Sequence, residues 1–170
     1  MTARLAGLLA ALLLAGCDPK VRTVTIKRDT LVTPVATPVV LRCPTRLKAV
    51  VDGRPGSDAG GLGWKQLQIE DAPGIVRAQL LAGGLQPADA PSGRDAVVTL
   101  KQLYLGQNHM TKNPVVVYSV ALDGWEPFLV RAQPTYNNWA DGEGEVRSSV
   151  SRALAQANAQ VIEGLEKRCR

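Results

Sequence analysis

Five stretches of the chain carry the apolar pattern of strands. Leu47–Asp52 (LKAVVD) is a short apolar run. Trp64–Glu70 (WKQLQIE) alternates, with Leu67 and Ile69 falling on one face. Ala96–Leu105, Val115–Leu122 and Phe128–Gln133 follow, and Val115–Leu122 (VVVYSVAL) is β-branched and free of breakers. Asp123-Gly124 is a tight-turn signal, so the last two runs return antiparallel to one another.

Two stretches have the helical period instead. Asp71-Ala72-Pro73 reads as an N-cap acid followed by a first-turn proline, with Ile75, Ala78 and Leu81–Ala82 as the expected buried face. Gly83-Gly84 ends that helix. Glu145–Lys167 is longer, and Val146, Val150, Ala153, Leu154, Ala157, Val161 and Leu165 form an apolar stripe at spacings of three and four. Ser148, Ser151, Arg152, Gln156, Gln160 and Glu163 fall away from the stripe and read as a solvated face. The segments Gly53–Gly63, Gln86–Asp95, Gly106–Pro114 and Pro134–Gly144 are rich in glycine, proline or polar residues and read as loops.

A sheet with helices on one face buries the apolar sides of both. The expected fold is therefore α+β: an antiparallel or mixed sheet of about five strands, with a short helix and a long C-terminal helix packed on one face. The expected organisation is a signal segment over residues 1–16, a tether over 17–43 and a single domain over 44–170.

The signal segment rests on Leu5–Gly16, an apolar run behind Arg4. A helix that crosses a bilayer needs about 20 residues, so the run fits the apolar region of a secretory signal. It closes in Leu14-Ala15-Gly16-Cys17, which resembles the lipobox of bacterial lipoproteins. That resemblance implies lipid attachment at Cys17 and a membrane held through acyl chains, with the domain in the periplasm. After it, Asp18–Leu41 holds Pro19, Pro34 and Pro38, no glycine, and an alternating Thr23–Lys27. It reads as an extended tether which, at about 3.1 Å per residue, would hold the domain tens of ångströms away.

With Cys17 lipidated, Cys43 and Cys169 remain. Two cysteines in an oxidising compartment suggest one disulfide, with two free thiols as the alternative. The chain has one histidine and seven aromatic residues, which excludes His/Cys-rich zinc sites and the stacking platforms that bind single-stranded nucleic acid. A net charge of +5 spread along the chain reads as solvated surface.

Little here points to catalysis. His109 sits in a loop with no orienting partner nearby in sequence, Ser119 lies inside a strand, and no G-x-S-x-G elbow occurs. Asp141, Glu143 and Glu145 lack the spacing of a calcium loop, and the helix dipole explains an acidic cluster at that position. The expectation is no enzyme, no metal and no cofactor. Four of the seven aromatics, Trp125, Phe128, Tyr136 and Trp139, fall within one short region. Tyr136, Asn138 and Trp139 are the candidate binding surface.

Strand Val51-Asp52-Gly53-Arg54-Pro55, the turn at Leu62-Gly63, the helix end Leu81-Ala82-Gly83-Gly84-Leu85 and the long alanine-rich C-terminal helix together resemble the YajG-like envelope lipoproteins. They also resemble the wider group of small envelope lipoproteins that includes auxiliary subunits of lipid-transporting systems. The resemblance implies a non-catalytic adaptor that binds an envelope protein or a lipid, and it favours the outer membrane. Asp18, directly after the lipobox cysteine, matches the position that favours inner-membrane retention in enteric bacteria. The Val/Thr/Pro segment before Cys43-Pro44 also resembles phage outer spanins, which makes a lysis lipoprotein the alternative.

Overall fold

The computed structural model describes residues 22–31, 39–62, 65–139 and 142–169. Cys17 and the expected signal segment over residues 1–16 lie outside the described residues, as do Trp64 and Asp141. Eight strands of the described residues form one mixed sheet: β1 (Arg22–Ile26), β2 (Thr45–Asp52), β3 (Asp58–Leu62), β4 (Lys65–Ile69), β5 (Arg94–Gln107), β6 (Thr111–Leu122), β7 (Phe128–Ala132) and β8 (Tyr136–Asn137). Helix α1 (Ala72–Ala82) and helix α2 (Glu143–Lys167) complete it, so the fold is α+β.

The backbone of the sheet is the antiparallel β5–β6 pair, matched from Ala96↔Leu122 to Gln107↔Lys112. Side chains alternate across a strand, so one face of β6 carries Val116, Tyr118, Val120 and Leu122 into the core. On β5 the buried set is Ala96, Val98 and Leu100, then Leu103 and Leu105. The step of three comes from a register shift between Leu100 and Gln102, where one extra residue returns the apolar set to the same face.

Three strands fall in segments that read from sequence as unpaired. β1 lies within the expected tether. It is extended, as that reading required, but it pairs in parallel with β4 from Arg22↔Lys65 to Ile26↔Ile69 and buries Val24 and Ile26. β3 lies within the glycine-rich loop. A Cβ on Gly60 would stand 2.4 Å from the Leu105 carbonyl oxygen, and Gly60 has φ 81°. Only glycine lets β3 lie this close to β5. β8 lies within the last polar loop and pairs with Thr111 and Lys112 of β6. The expected hairpin loop Gly106–Pro114 shrinks in turn to residues 108–110, because β5 and β6 both run into it. Pro114 is tolerated inside β6 because it sits between the residues paired with β8 and those paired with β7, where a missing N–H removes no bond on that side.

Both helices follow their sequence signals, with adjustments. The Gly74 N–H donates to the Asp71 carboxylate at 3.1 Å, and a Cβ on Gly74 would stand 2.0 Å from that carboxylate. The Pro73-Gly74 pair is thus part of the cap. The buried face of α1 is Ala72, Ile75, Val76, Gln79 and Leu80. Ile75 is as expected, whereas Ala78 and Leu81 are half-buried and Ala82 is exposed, because the face against β2 and α2 is rotated by about one residue. The whole predicted stripe of α2 is buried. Ser151 is buried too, against expectation, together with Ser149 and Asn158. The Tyr118 hydroxyl donates to Asn158 Oδ1 at 3.2 Å, and Asn158 Nδ2 donates to Gln79 Oε1 at 2.7 Å, which links β6, α2 and α1 through the core. Burial pushes the Tyr118 phenol well above its ordinary range, so it stays a neutral donor.

β6 and α2 run in the same direction, which gives the molecule two distinct ends. At one end Lys112 meets Glu145. At the other, Cys43 and Cys169 are disulfide-bonded with Cα atoms 5.6 Å apart. There Arg42 donates to Glu166 from both its backbone N–H and its Nε, each at 2.7 Å, which holds the Glu166 carboxyl below its ordinary range.

Two expectations follow. Replacing Cys43 and Cys169 by alanine should destabilise the domain by up to about 5 kcal/mol, the chain-entropy value for a loop this long; urea denaturation with and without reductant measures it. The second concerns acid. Arg54 grips Asp52 through Nε at 2.8 Å and Nη2 at 2.7 Å, and this pairing lowers the Asp52 pKa. The stability it adds is full above the ordinary aspartate range and is lost as pH falls through the lowered value. Asp52→Asn should therefore flatten the acid limb of a stability-against-pH curve.

Candidate functional site

Alternation on β6 reaches beyond its apolar residues. The face that carries Val116, Tyr118 and Val120 inward also carries Lys112, whose side chain is only 1% exposed. A buried ammonium needs partners. Lys112 Nζ donates to Glu145 Oε2 at 2.6 Å and to Asn138 Oδ1. Glu145 stands in the first turn of α2, where the helix dipole favours a carboxylate.

Asn138 joins this cluster to the β5–β6 turn. Its backbone N–H donates to the Met110 carbonyl at 2.8 Å and its Nδ2 to the Asn108 carbonyl at 2.8 Å. The turn is itself fixed by Asn108, whose Oδ1 accepts from the N–H groups of Met110 and Thr111, both at 2.8 Å. Met110 and Trp139, which follows Asn138, are thereby carried at the same end of the sheet, 78% and 82% exposed.

Beside the cluster lies a cleft of about 420 Å³, lined by β8, by the start of α2 and by Lys112. Tyr136, Trp139, Ser148 and Arg152 face it. The Arg152 guanidinium stands 5.5 Å from the Tyr136 ring centroid, within cation–π range. Burial raises the Tyr136 pKa, against a smaller opposing effect of Arg152, so the phenol is neutral and can donate. The cleft thus presents an exposed cation, a phenol and an indole. It can hold an anionic or amphiphilic group.

The structure brings the sequence candidates Tyr136, Asn138 and Trp139 to one place but divides their work. Tyr136 and Trp139 face the cleft, while Asn138 spends its polar atoms positioning the loop. In the sequence Lys112 falls in a segment that reads as a loop and Arg152 on a face that reads as solvated, while Glu145 stands out only as part of the acidic cluster at the helix start. The signal for Lys112 was its even spacing from Val116 and Tyr118. His109 is exposed at the tip of the turn and does not line the cleft. Glu143 pairs with Arg147 at 3.2 Å and Glu145 with Lys112, so these two acids face different cations. Among the described residues no group of His, Cys, Asp and Glu is arranged to hold a metal.

The fold is similar to that of protein XCC0632 from Xanthomonas campestris, of family DUF330. The TM-score is 0.54 at 8% identity, over 82% of this chain and 92% of that one. Two further solved structures align less well. A PelC dodecamer from Paraburkholderia phytofirmans has a TM-score of 0.34 at 15% identity, over 71% of this chain and 91% of that one. The rare lipoprotein B from Shewanella oneidensis has 0.35 at 17% identity, over 71% and 98%. At these identities the first likeness is one of fold alone, and the other two carry no argument. No family model and no curated protein matches the sequence.

Glu145→Ala should destabilise the domain by about 2 kcal/mol, less than the ~3–5 of a fully buried pair because Glu145 is partly solvated. Arg152→Ala, on the open side of the cleft, should change stability by less than about 0.5 kcal/mol. Chemical denaturation of the two variants separates the positioning residue from the surface residue.

Proposed function

We propose that this chain is a lipid-anchored envelope lipoprotein of the YajG-like kind, a non-catalytic adaptor whose domain faces the periplasm. Leu14-Ala15-Gly16-Cys17 supports the anchor, and the Cys43–Cys169 disulfide suits an oxidising compartment. Among the described residues no helix is long and apolar enough to cross a membrane.

The observation that carries the adaptor reading is the cleft. Arg152, Tyr136 and Trp139 suit recognition, and the only histidine stands outside it. Ser149, on its wall, donates to the Val146 carbonyl at 2.8 Å and is engaged within its own helix. The occupant this lining favours is an anionic or amphiphilic group, on an envelope protein or on a lipid. A role as auxiliary lipoprotein of a lipid-transport system belongs to this reading. The lysis-lipoprotein alternative relies on a long free tether, and β1 takes five residues of that segment into the sheet. The outer membrane is favoured over the inner as the anchoring site.

Wild-type protein should sediment with membranes, and Cys17→Ala should release it to the soluble fraction. A wild type that fractionates as soluble protein would end the anchored reading. A photo-crosslinking residue at Ser148 should give a discrete adduct that Arg152→Glu abolishes, whereas one at Ala121, exposed at the far end of β6, should give none. Identical adduct patterns from both positions would remove the cleft from the function.

A further inference from the structure

The course of β1 fixes which end of the domain carries its lipid. Arg22 is paired with Lys65, Lys65 with Leu62, and the neighbouring Gly61 with Gly106. Gly106 is one residue before the end of β5, at the β5–β6 turn. The first residue of β1 is therefore level with the turn that carries Met110, and with Trp139 beside it. Cys17 stands five residues before Arg22 in the chain. Five residues reach at most about 18 Å when fully extended.

We propose that the end of the domain bearing Met110 and Trp139 lies against the surface of the membrane that holds Cys17, with both side chains at headgroup depth. The inference rests on the anchored reading above and adds an orientation and a contact surface to it. An anchor this short cannot stand the domain off, so the face level with Arg22 is the one that meets lipid. Tryptophan prefers the interface, where its ring is apolar and its N–H stays wet. Met110 and Trp139 are strongly exposed and are fixed by the Asn108 and Asn138 hydrogen bonds, so no ordering of the loop is needed for them to insert. Arg22 and Arg152 are exposed at the same end and would meet lipid phosphates. The far end, with Trp125, Cys43 and Cys169, is separated from it by the length of α2, about 37 Å for 25 residues.

The three tryptophans make this measurable. Full-length lipidated protein is reconstituted in phosphatidylcholine/phosphatidylglycerol vesicles containing brominated acyl chains. One variant, Trp64→Phe with Trp125→Phe, leaves Trp139 as the reporter; a second, Trp64→Phe with Trp139→Phe, leaves Trp125. Trp139 emission should shift to the blue and be quenched, and Trp125 emission should do neither. Hydrogen exchange on the wild type needs no substitution: amides of residues 108–110 and 138–139 should slow on reconstitution, and those of 123–127 should not. Protein that floats with the vesicles while Trp139 is unquenched and residues 108–110 exchange unchanged overturns the orientation and leaves the anchor standing. The reverse pattern, with Trp125 quenched, overturns it as well. Protein that does not float overturns both readings.

Discussion

The β5–β6 ladder is the constraint on which the other parts depend. It is the longest pairing in the sheet, and its alternation decides which side chains enter the core. The register shift at Leu100/Gln102 keeps that alternation correct along β5. β2 and β3 share one side of β5, and β7 and β8 share the far side of β6. Helix α2 lies along β6 and reads its face in order: Glu145 at Lys112, Asn158 at Tyr118. A slip of one residue would send every core side chain of β6 to solvent.

The same ladder brings a charge inside. Lys112 occupies an inward position for geometric reasons, and the molecule satisfies it with Glu145 and Asn138 rather than with solvent. In doing so it locks the loop after β8 onto the β5–β6 turn. The cleft and the exposed Met110–Trp139 rim are consequences of that lock. The buried pair is better understood as a device for position than as a source of net stability, since desolvation offsets much of its attraction.

The ends of the domain then acquire different characters. One is closed covalently: the Cys43–Cys169 disulfide and the Arg42–Glu166 contact tie the strap before β2 to the end of α2. Arg168 stands 3.9 Å from the Phe128 ring centroid there, and its carbonyl accepts from Arg94 at 3.3 Å. The other end is held without a covalent link, by the Lys112–Glu145 ion pair and the Asn108 and Asn138 hydrogen bonds, and leaves Trp139 open.

Local chemistry sufficed for much of this in sequence. The α2 stripe, the Asp71 cap, the Asp123-Gly124 turn, with Gly124 at φ 77°, and the strands Leu67–Ile69 and Val115–Leu122 are each set by period or by a residue's own conformational preference. The concentration of Tyr136, Asn138 and Trp139 was also visible. Tertiary structure alone decided the rest. β1, β3 and β8 are short, and each becomes a strand only because a partner supplies its hydrogen bonds. Lys112 became buried only because a polar segment extended an apolar strand in register. Whether a segment stands free as tether or lies down as strand depends on a ladder formed by residues far away in the chain, and no local pattern encodes that distance.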